Sequence, residues 1–402
     1  MKTTILIPII FCFFNICLTA QTGCTDPQAL NYDANAVTNN GNCFYSNASV
    51  SPSSSTNLSA AIDETSGLIE WNNFLYTHND NTDTKIYKLD KLTGAILKDI
   101  PLNTLLNIDW EEISQDENFI YLGDFGNNYS GNRTNLKIYK IAKAGFETSP
   151  QIEIINFSYS NQTDFTAQDS NKTDFDCEAF VVTQNEILLF TKQWLSGKTS
   201  IYSLSKTPGT FVANLVTTID VAGLISGATL KESSRLIALS GYSNRLQPFI
   251  FLIYDYNGTN FLTANKRKIE IALPDHQIEA ISTTDGLEYN LTNESFNQSP
   301  SVNTPQKLHK LSLASYLNDY LGTKNASSFN GKTTVYPNPT EGEIFVKNLL
   351  DQNQPYLVMD INGRTVKSGN FFGGKTNIDN LGKGIYFLKI ASTKQVYKII
   401  KK

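Results

Sequence analysis

Three short segments repeat one pattern, an acidic residue at the start of an apolar run. They are Asp109-Trp110-Glu111-Glu112-Ile113, Asp176-Cys177-Glu178-Ala179-Phe180 and Gln277-Ile278-Glu279-Ala280-Ile281. If the fold brings Glu111, Glu178 and Glu279 together, their carboxylates can hold a hard cation, receive a basic group or share protons among themselves. Two weaker copies, Glu64-Thr65-Ser66-Gly67-Leu68 and Ile225-Ser226-Gly227-Ala228-Thr229, fall in register. That sets the aligned positions at 66, 111, 178, 227 and 279, spaced 45, 67, 49 and 52.

The elements that carry these anchors also repeat. A second apolar run follows each one, as in Phe119-Ile120-Tyr121-Leu122 and Ile187-Leu188-Leu189-Phe190, and then a third, as in Lys85-Ile86-Tyr87-Lys88-Leu89 and Lys137-Ile138-Tyr139-Lys140-Ile141. Four copies add a fourth run. The fifth lacks one, while Asn57-Leu58-Ser59-Ala60-Ala61-Ile62 stands spare at the front to close it. The runs are short, β-branched and divided by Gly/Asn turns, which disfavours helices. Units of about 40–50 residues with four strands each describe a β-propeller. The predicted fold class is all-β: a five-bladed propeller over 58–321, with six blades as the alternative, followed by a small Ig-like β-sandwich.

In a propeller the starts of the first strands and the turns after the second strands converge on one mouth. That geometry gathers Asp109, Glu111, Asp176, Glu178 and Glu279 from strand starts. From the turns it gathers Asp80, Asp124, Asn127, Asn128, Lys192, Tyr242, Arg245 and Glu294 as candidate ligand-binding residues. Two like charges about 4 Å apart repel by roughly 4 kcal/mol at an effective dielectric near 20. A ring of Glu111, Glu178 and Glu279 therefore calls for a cation, a basic partner or raised pKa values. Calcium is the candidate cofactor, with those three glutamates as its ligands. The competing structural reading is that each glutamate accepts backbone N–H bonds from the neighbouring blade and stitches the ring together.

Such carboxylate rings resemble the mouths of phytase-like and regucalcin/gluconolactonase-like propellers, in which calcium holds a phosphate or a lactone. That resemblance implies a calcium-dependent hydrolase of a phosphoester or lactone. A further alternative is a protein- or glycan-binding surface module that uses Trp194 and Tyr242 as exposed aromatics. The histidines, His78, His276 and His309, occur singly, and the sequence has no Ser-His-Asp order, zinc spacing or phosphate loop.

The flanks concern where the protein goes. Residues 1–20 carry Lys2 and an apolar run from Ile5 to Leu18, short of the roughly 20 residues a membrane helix needs. They read as a secretory signal peptide. In that oxidising route Cys24 and Cys43, within a short polar segment at 21–46, are the natural disulfide pair, and Cys177 reads as a buried small apolar residue. The segment resembles the Cys-bounded modules related to thrombospondin type 3 repeats, which implies Asp26 and Asp33 as candidate calcium ligands. Residues 47–57 and 322–331 read as linkers.

Residues 332–402 hold ten Lys and Arg364 against five acids, a net +6, while residues 21–331 carry −12. Neither body has the basic, aromatic-interleaved surface of a nucleic-acid binder. Val335-Tyr336-Pro337-Asn338-Pro339-Thr340-Glu341-Gly342, then Met359-Asp360-Ile361-Asn362-Gly363-Arg364, then Leu381-Gly382-Lys383-Gly384-Ile385-Tyr386-Phe387-Leu388-Lys389-Ile390 and the basic end resemble the C-terminal sorting domain of type IX secretion substrates. The resemblance implies an Ig-like sandwich, recognition by the type IX machinery and a secreted or surface-attached protein. The expected partner beyond that machinery is a small-molecule or glycan ligand, with no nucleic acid and no transmembrane segment in the mature chain.

Overall fold

The computed structural model describes residues 21–298, 302–327, 334–347, 355–390 and 396–402. The expected signal peptide at 1–20 lies outside the described residues, as do residues 328–331 of the second expected linker. The Cys-bounded segment folds around two short parallel strands, β1 (Thr22–Gly23) and β2 (Thr38–Asn39), with Cys24 bonded to Cys43. Two strands lie in the first expected linker, β3 (Ser49–Val50) and β4 (Ser54–Asn57).

Strands then come in antiparallel fours. The first group is β5 (Thr65–Trp71), β6 (Phe74–Asn79), β7 (Lys85–Asp90) and β8 (Ile96–Pro101). The second is β9 (Trp110–Gln115), β10 (Phe119–Asp124), β11 (Lys137–Ala142) and β12 (Ile152–Tyr159). The third is β13 (Asp176–Val182), β14 (Ile187–Lys192), β15 (Lys198–Leu204) and β16 (Gly209–Asp220). The fourth is β17 (Leu224–Lys231), β18 (Leu236–Tyr242), β19 (Pro248–Tyr254) and β20 (Asn265–Ile271). In the last, β21 (Ile278–Ser282) and β22 (Glu288–Asn293) are followed by a small hairpin, β23 (Phe296–Gln298) and β24 (Val302–Thr304), and then β25 (Lys307–Ser312). Local chemistry sets these hairpins. Asn72 and Asn73 both hold positive φ between β5 and β6, the conformation a two-residue turn between twisted strands requires.

The first strands of the five groups adjoin one another in a cycle, β5 to β9, β13, β17, β21 and back to β5. This gives the molecule its propeller-like form. The last group obtains its fourth strand from β4, which pairs antiparallel with β25. The closing strand is therefore Ser54–Asn57, not the expected run from Asn57 to Ile62, part of which forms a 3-10 turn at Ala60–Ile62. The expected run was apolar, but an outermost strand has little core to face, and β4 is mostly exposed. His309, wholly buried, fastens the closure: Nδ1 bonds Ser55 Oγ at 2.7 Å and Nε2 bonds Asn293 Oδ1 at 2.7 Å.

Each first strand carries an irregularity near its anchor: in the second to fifth groups one residue is left without a cross-strand partner, and in the first Gly67 and Leu68 are, while Ser66 pairs with His78. The residues left out include Glu111, Glu178 and Glu279, and in the fourth group Ser226 rather than the expected Gly227. One position further on stand Gly67, Glu112, Ala179, Gly227 and Ala280, four small residues and one glutamate. A Cβ on Gly67 would come within 2.6 Å of the Ile113 nitrogen, and one on Gly227 within 2.9 Å of the Glu279 carbonyl oxygen. The inner strands touch at these points. Glu112, wholly buried, fills the space that remains and accepts from Ile113 N–H (2.9 Å), Ala228 N–H (2.7 Å) and Leu68 N–H.

Helix α1 (Ala314–Ser327) occupies the start of the second expected linker because Leu317 and Leu321 pack into the core of the fifth group. The remaining strands are β26 (Thr334–Tyr336), β27 (Glu343–Lys347), β28 (Pro355–Met359), β29 (Thr365–Asn370), β30 (Lys375–Asn377), β31 (Gly384–Ile390) and β32 (Val396–Lys401). They form a three-stranded sheet, β26-β27-β30, and a four-stranded sheet, β29-β28-β31-β32. Ile344 and Val346 of the first sheet and Val358, Leu388 and Ile399 of the second share one buried core.

Three strands depend on the Glu112 carboxylate for buried N–H groups, each costing about 1–3 kcal/mol when left unpaired. Glu112→Ala is expected to lose about 3–5 kcal/mol in chemical unfolding. Glu112→Gln, which keeps one acceptor oxygen, is expected to lose less. Equal stability of Glu112→Ala and the parent chain would show that the axis does not need this side chain.

Candidate functional site

The bulges turn Glu111, Glu178 and Glu279 toward one another at the end of the ring where the first strands begin. All three are buried, at 4, 2 and 5% exposure, and so is Asp176 at 0%. Among them lies Lys192, the last residue of β14, itself 4% exposed. Its ammonium stands 3.2 Å from Glu178 Oε1, in a direction too oblique for a hydrogen bond, so that oxygen has an ionic partner but no donor. The same ammonium faces the rings of Trp194 at 4.8 Å and Tyr242 at 5.2 Å. These two aromatics were expected as exposed binding surfaces. Tyr242 is instead buried and Trp194 half-buried, both held as walls around the lysine.

The electrostatics follow from this crowding. Burial and then the charge of Glu178 push Glu111 well above the usual carboxylate range, and burial and Glu178 do the same to Asp176. Burial raises Glu178 and Glu279, although Lys192 pulls both back. For Lys192 burial works against the charge, but Glu178, Tyr242 and Glu279 outweigh it and hold the ammonium protonated. At the rim, burial followed by Asp176 lifts Asp109 to about 6, and burial followed by Glu64 lifts Asp80 to about 8. Burial followed by Glu279 lifts Glu294 to about 9. Gln277 Nε2 donates to Glu294 Oε1 at 2.6 Å.

Several expected site residues serve the walls. Asp124 is paired with Arg133 Nη2 at 2.7 Å, and Asn127 bonds the Phe175 carbonyl through its side chain and Asp176 Oδ1 through its backbone. The Asn128 carbonyl accepts from Asn171 N–H. Arg245 is exposed and has no ion pair among the described residues. The residues between β10 and β11 and those between β12 and β13 are zipped together by Asn171 to Asn128 and Gln168 to Ser130 backbone bonds. This paired insertion accounts for the long 67-residue spacing. Gly126 within it lies against the Glu111 and Asp109 carboxylates, closer than any side chain would permit. Glu64 and Arg133 also belong to the neighbourhood. Glu64 stands two residues before its anchor, as Asp109 and Asp176 do, so the repeat offset offered it; Arg133 lies in the insertion between β10 and β11, where spacing gave no signal.

Among the described residues no three His, Cys, Asp or Glu side chains are grouped as a metal ion would need. In the Cys-bounded module Asp26 Oδ2 accepts from the Tyr45 and Tyr254 hydroxyls, and Asp33 from Gln21 Nε2 and Asn35 N–H. Both carboxylates hold the module together or seat it on β19. Cys177 is a free, wholly buried thiol, consistent with a packing role.

Residues 334–402 match the model of the secretion system C-terminal sorting domain. The chain is type IX secretion cargo. It is exported to the cell surface or the extracellular space, and its last domain is what the type IX machinery recognises. No helix among the described residues is long and apolar enough to cross a membrane. No curated protein matches the cargo. Among solved structures the WD40 repeats of RRP9 are 10% identical over 65% of this chain and 98% of that one, with a TM-score of 0.38. The PQQ-bound aldose sugar dehydrogenase of Streptomyces coelicolor is 9% identical over 64 and 98%, at 0.36. PorZ, a surface component of the type IX secretion system of Porphyromonas gingivalis, is 10% identical over 84% of this chain and 45% of that one, at 0.31. These likenesses are distant, and the architecture rests on the strand pairing itself.

The raised carboxyls fix the sign of a pH effect. Asp109, Asp80 and Glu294 bind more protons folded than unfolded between about pH 4 and pH 9. Their contribution to stability is complete below that window and is lost as pH rises through it. At constant ionic strength the melting temperature is expected to fall from pH 5 to 9, and Glu294→Gln to flatten the alkaline part of the fall. A melting temperature that climbs across this interval would contradict the shared burial of these acids.

Proposed function

We propose that this cargo is a five-bladed β-propeller that takes up a positively charged ligand at its acidic mouth. In this reading a disulfide-bounded module at 21–46 braces the propeller, and an Ig-like sandwich at 332–402 addresses it for export. The observation that carries the proposal is the imbalance at the mouth. Asp80, Asp109, Glu111, Asp176, Glu178, Glu279 and Glu294 share two cations: Lys192, within ion-pair distance of Glu178, and Arg133, which reaches Asp109 at 4.0 Å while it is paired with Asp124.

Left to themselves the most deeply buried of these carboxyls, Glu111 and Asp176, hold protons. A guest bearing an amine or guanidinium displaces those protons and converts mutual repulsion into attraction. The absence of any three-carboxyl grouping among the described residues favours an organic cation over a bare metal ion. The reading assigns binding and no reaction.

Thermal unfolding at pH 8 tests this with spermidine, L-arginine and calcium chloride as separate additives. A ligand at about 100 times its Kd stabilises by about 2.7 kcal/mol, which is a shift of several degrees. Spermidine or arginine is expected to give that shift, and Glu279→Gln to reduce it. A shift with calcium alone, reversed by a chelator, would favour the metal-dependent hydrolase reading. No shift with any of the three would remove the mouth as a cation site.

A further inference from the structure

The opposite end of the ring carries a second cavity that the acidic mouth does not explain. The first strands of the second, third and fourth groups end at Gln115, Val182 and Lys231, and a groove of about 470 Å3 opens beneath the turns that follow them. A smaller chamber of about 80 Å3 continues it into the axis, sharing Gln115, Val182 and Leu230 with the groove. The larger volume lies within the range of about 300–1,000 Å3 usual for small-molecule sites.

Two of the groove's four charged side chains form an ion pair. Asp116 is paired with Lys206 at 3.1 Å, and Glu232 receives the Gln184 backbone N–H on both oxygens, at 2.9 and 3.0 Å. Glu117 lies exposed at the outer edge. The unpartnered groups deeper in are neutral. The hydroxyls of Ser114 and Thr229 and the side-chain amides of Asn118 and Gln184 have no hydrogen-bond partner among the described residues. Deepest, in the axial chamber, is Ser282, only 3% exposed, whose hydroxyl is buried without any partner. A buried unpaired hydroxyl is costly unless something supplies its bond.

We infer that this groove is a second binding site, for a neutral, hydroxyl-rich ligand of the carbohydrate class. Hydroxyls and amides suit a guest whose groups both donate and accept, and the carboxylates left outside the Asp116–Lys206 pair, Glu117 and Glu232, accept from hydroxyls as well. The guest's innermost hydroxyl meets Ser282 Oγ in the chamber, while the wider groove takes the remaining ring between Asn118 and Gln184.

The test is saturation-transfer NMR on the mature full chain with malto-, cello-, manno- and chito-oligosaccharides, followed by titration of any that respond. At least one series is expected to bind. Ser282→Ala is expected to weaken it about tenfold, the loss of one hydrogen bond to a buried group. The melting temperature of that variant should stay level or rise, because the unpaired hydroxyl is gone. A merely structural hydroxyl would give the reverse, a fall in melting temperature with unchanged binding, and would overturn the proposal. Thr229→Trp, which fills the chamber from a half-buried position, is expected to abolish binding. No transfer to any of the four series, or retained affinity in Thr229→Trp, would equally overturn it.

Discussion

The ring stands on one buried carboxylate. Where five inner strands meet, their bulges leave backbone N–H groups facing the axis with no strand to pair with, and an unpaired buried N–H is too costly to leave. Four strands come close by presenting Gly or Ala. The second presents Glu112, whose two oxygens collect N–H groups from β5, β9 and β17. Burial raises the pKa of this acid, and the three donors pull it back. The stitching expected of the repeated glutamates thus exists, but one residue performs it, at the position after the anchor. Glu111, Glu178 and Glu279 are thereby released from that task.

That division of labour explains why the mouth is so acidic. A bulge residue lacks a cross-strand partner, so its side chain turns into the channel mouth rather than into a sheet face. The second, third and fifth groups use that freedom to aim a glutamate inward. The fourth places Ser226 there and the first has Ser66 just before its irregularity, and their hydroxyls bond the Ile278 and Glu111 carbonyls of the next inner strand. The ring therefore divides into two groups that bind their neighbour, the first and fourth, and three that load the mouth. Lys192, capped by Trp194 and Tyr242, limits the repulsion without cancelling it. Arg133 adds a second cation only at the rim, 4.0 Å from Asp109, so seven acids share two cations.

Much of this was legible before any coordinates. The strand groups follow from runs at regular spacing, the approach of Glu111, Glu178 and Glu279 from their shared offset, and the Cys24–Cys43 bond from compartment and proximity. What escaped did so for identifiable reasons. Ser226 and Gly227 are both small and neighbours, so an apolar pattern cannot tell which is bulged. Glu112 has the same chemistry as Glu111 and differs only in which way the bulge points it. The closing strand Ser54-Ser55-Thr56-Asn57 has a linker's composition because an outer strand needs backbone pairing more than side-chain burial. Trp194 follows β14 and Tyr242 ends β18, where exposed turn residues would be expected, yet both rings face a buried ammonium.

The closure has a consequence for export. The ring is completed by residues from opposite ends of the cargo, β4 pairing with β25 some 250 positions later, and His309 joins them to β22. Its five inner strands can form local hairpins early, since each group is contiguous, but the cycle cannot close until the fifth group exists. The disulfide-bounded module reinforces the same junction. Gln28 accepts from Arg267 at 2.7 Å, and that guanidinium lies between the rings of Tyr45 and Tyr316, at 4.7 and 4.6 Å. Tyr316 belongs to α1, the element that follows β25, so module, fourth group and helix converge on one cation. The Cys24–Cys43 bond thus holds together the module that ties the fourth group to the helix following β25.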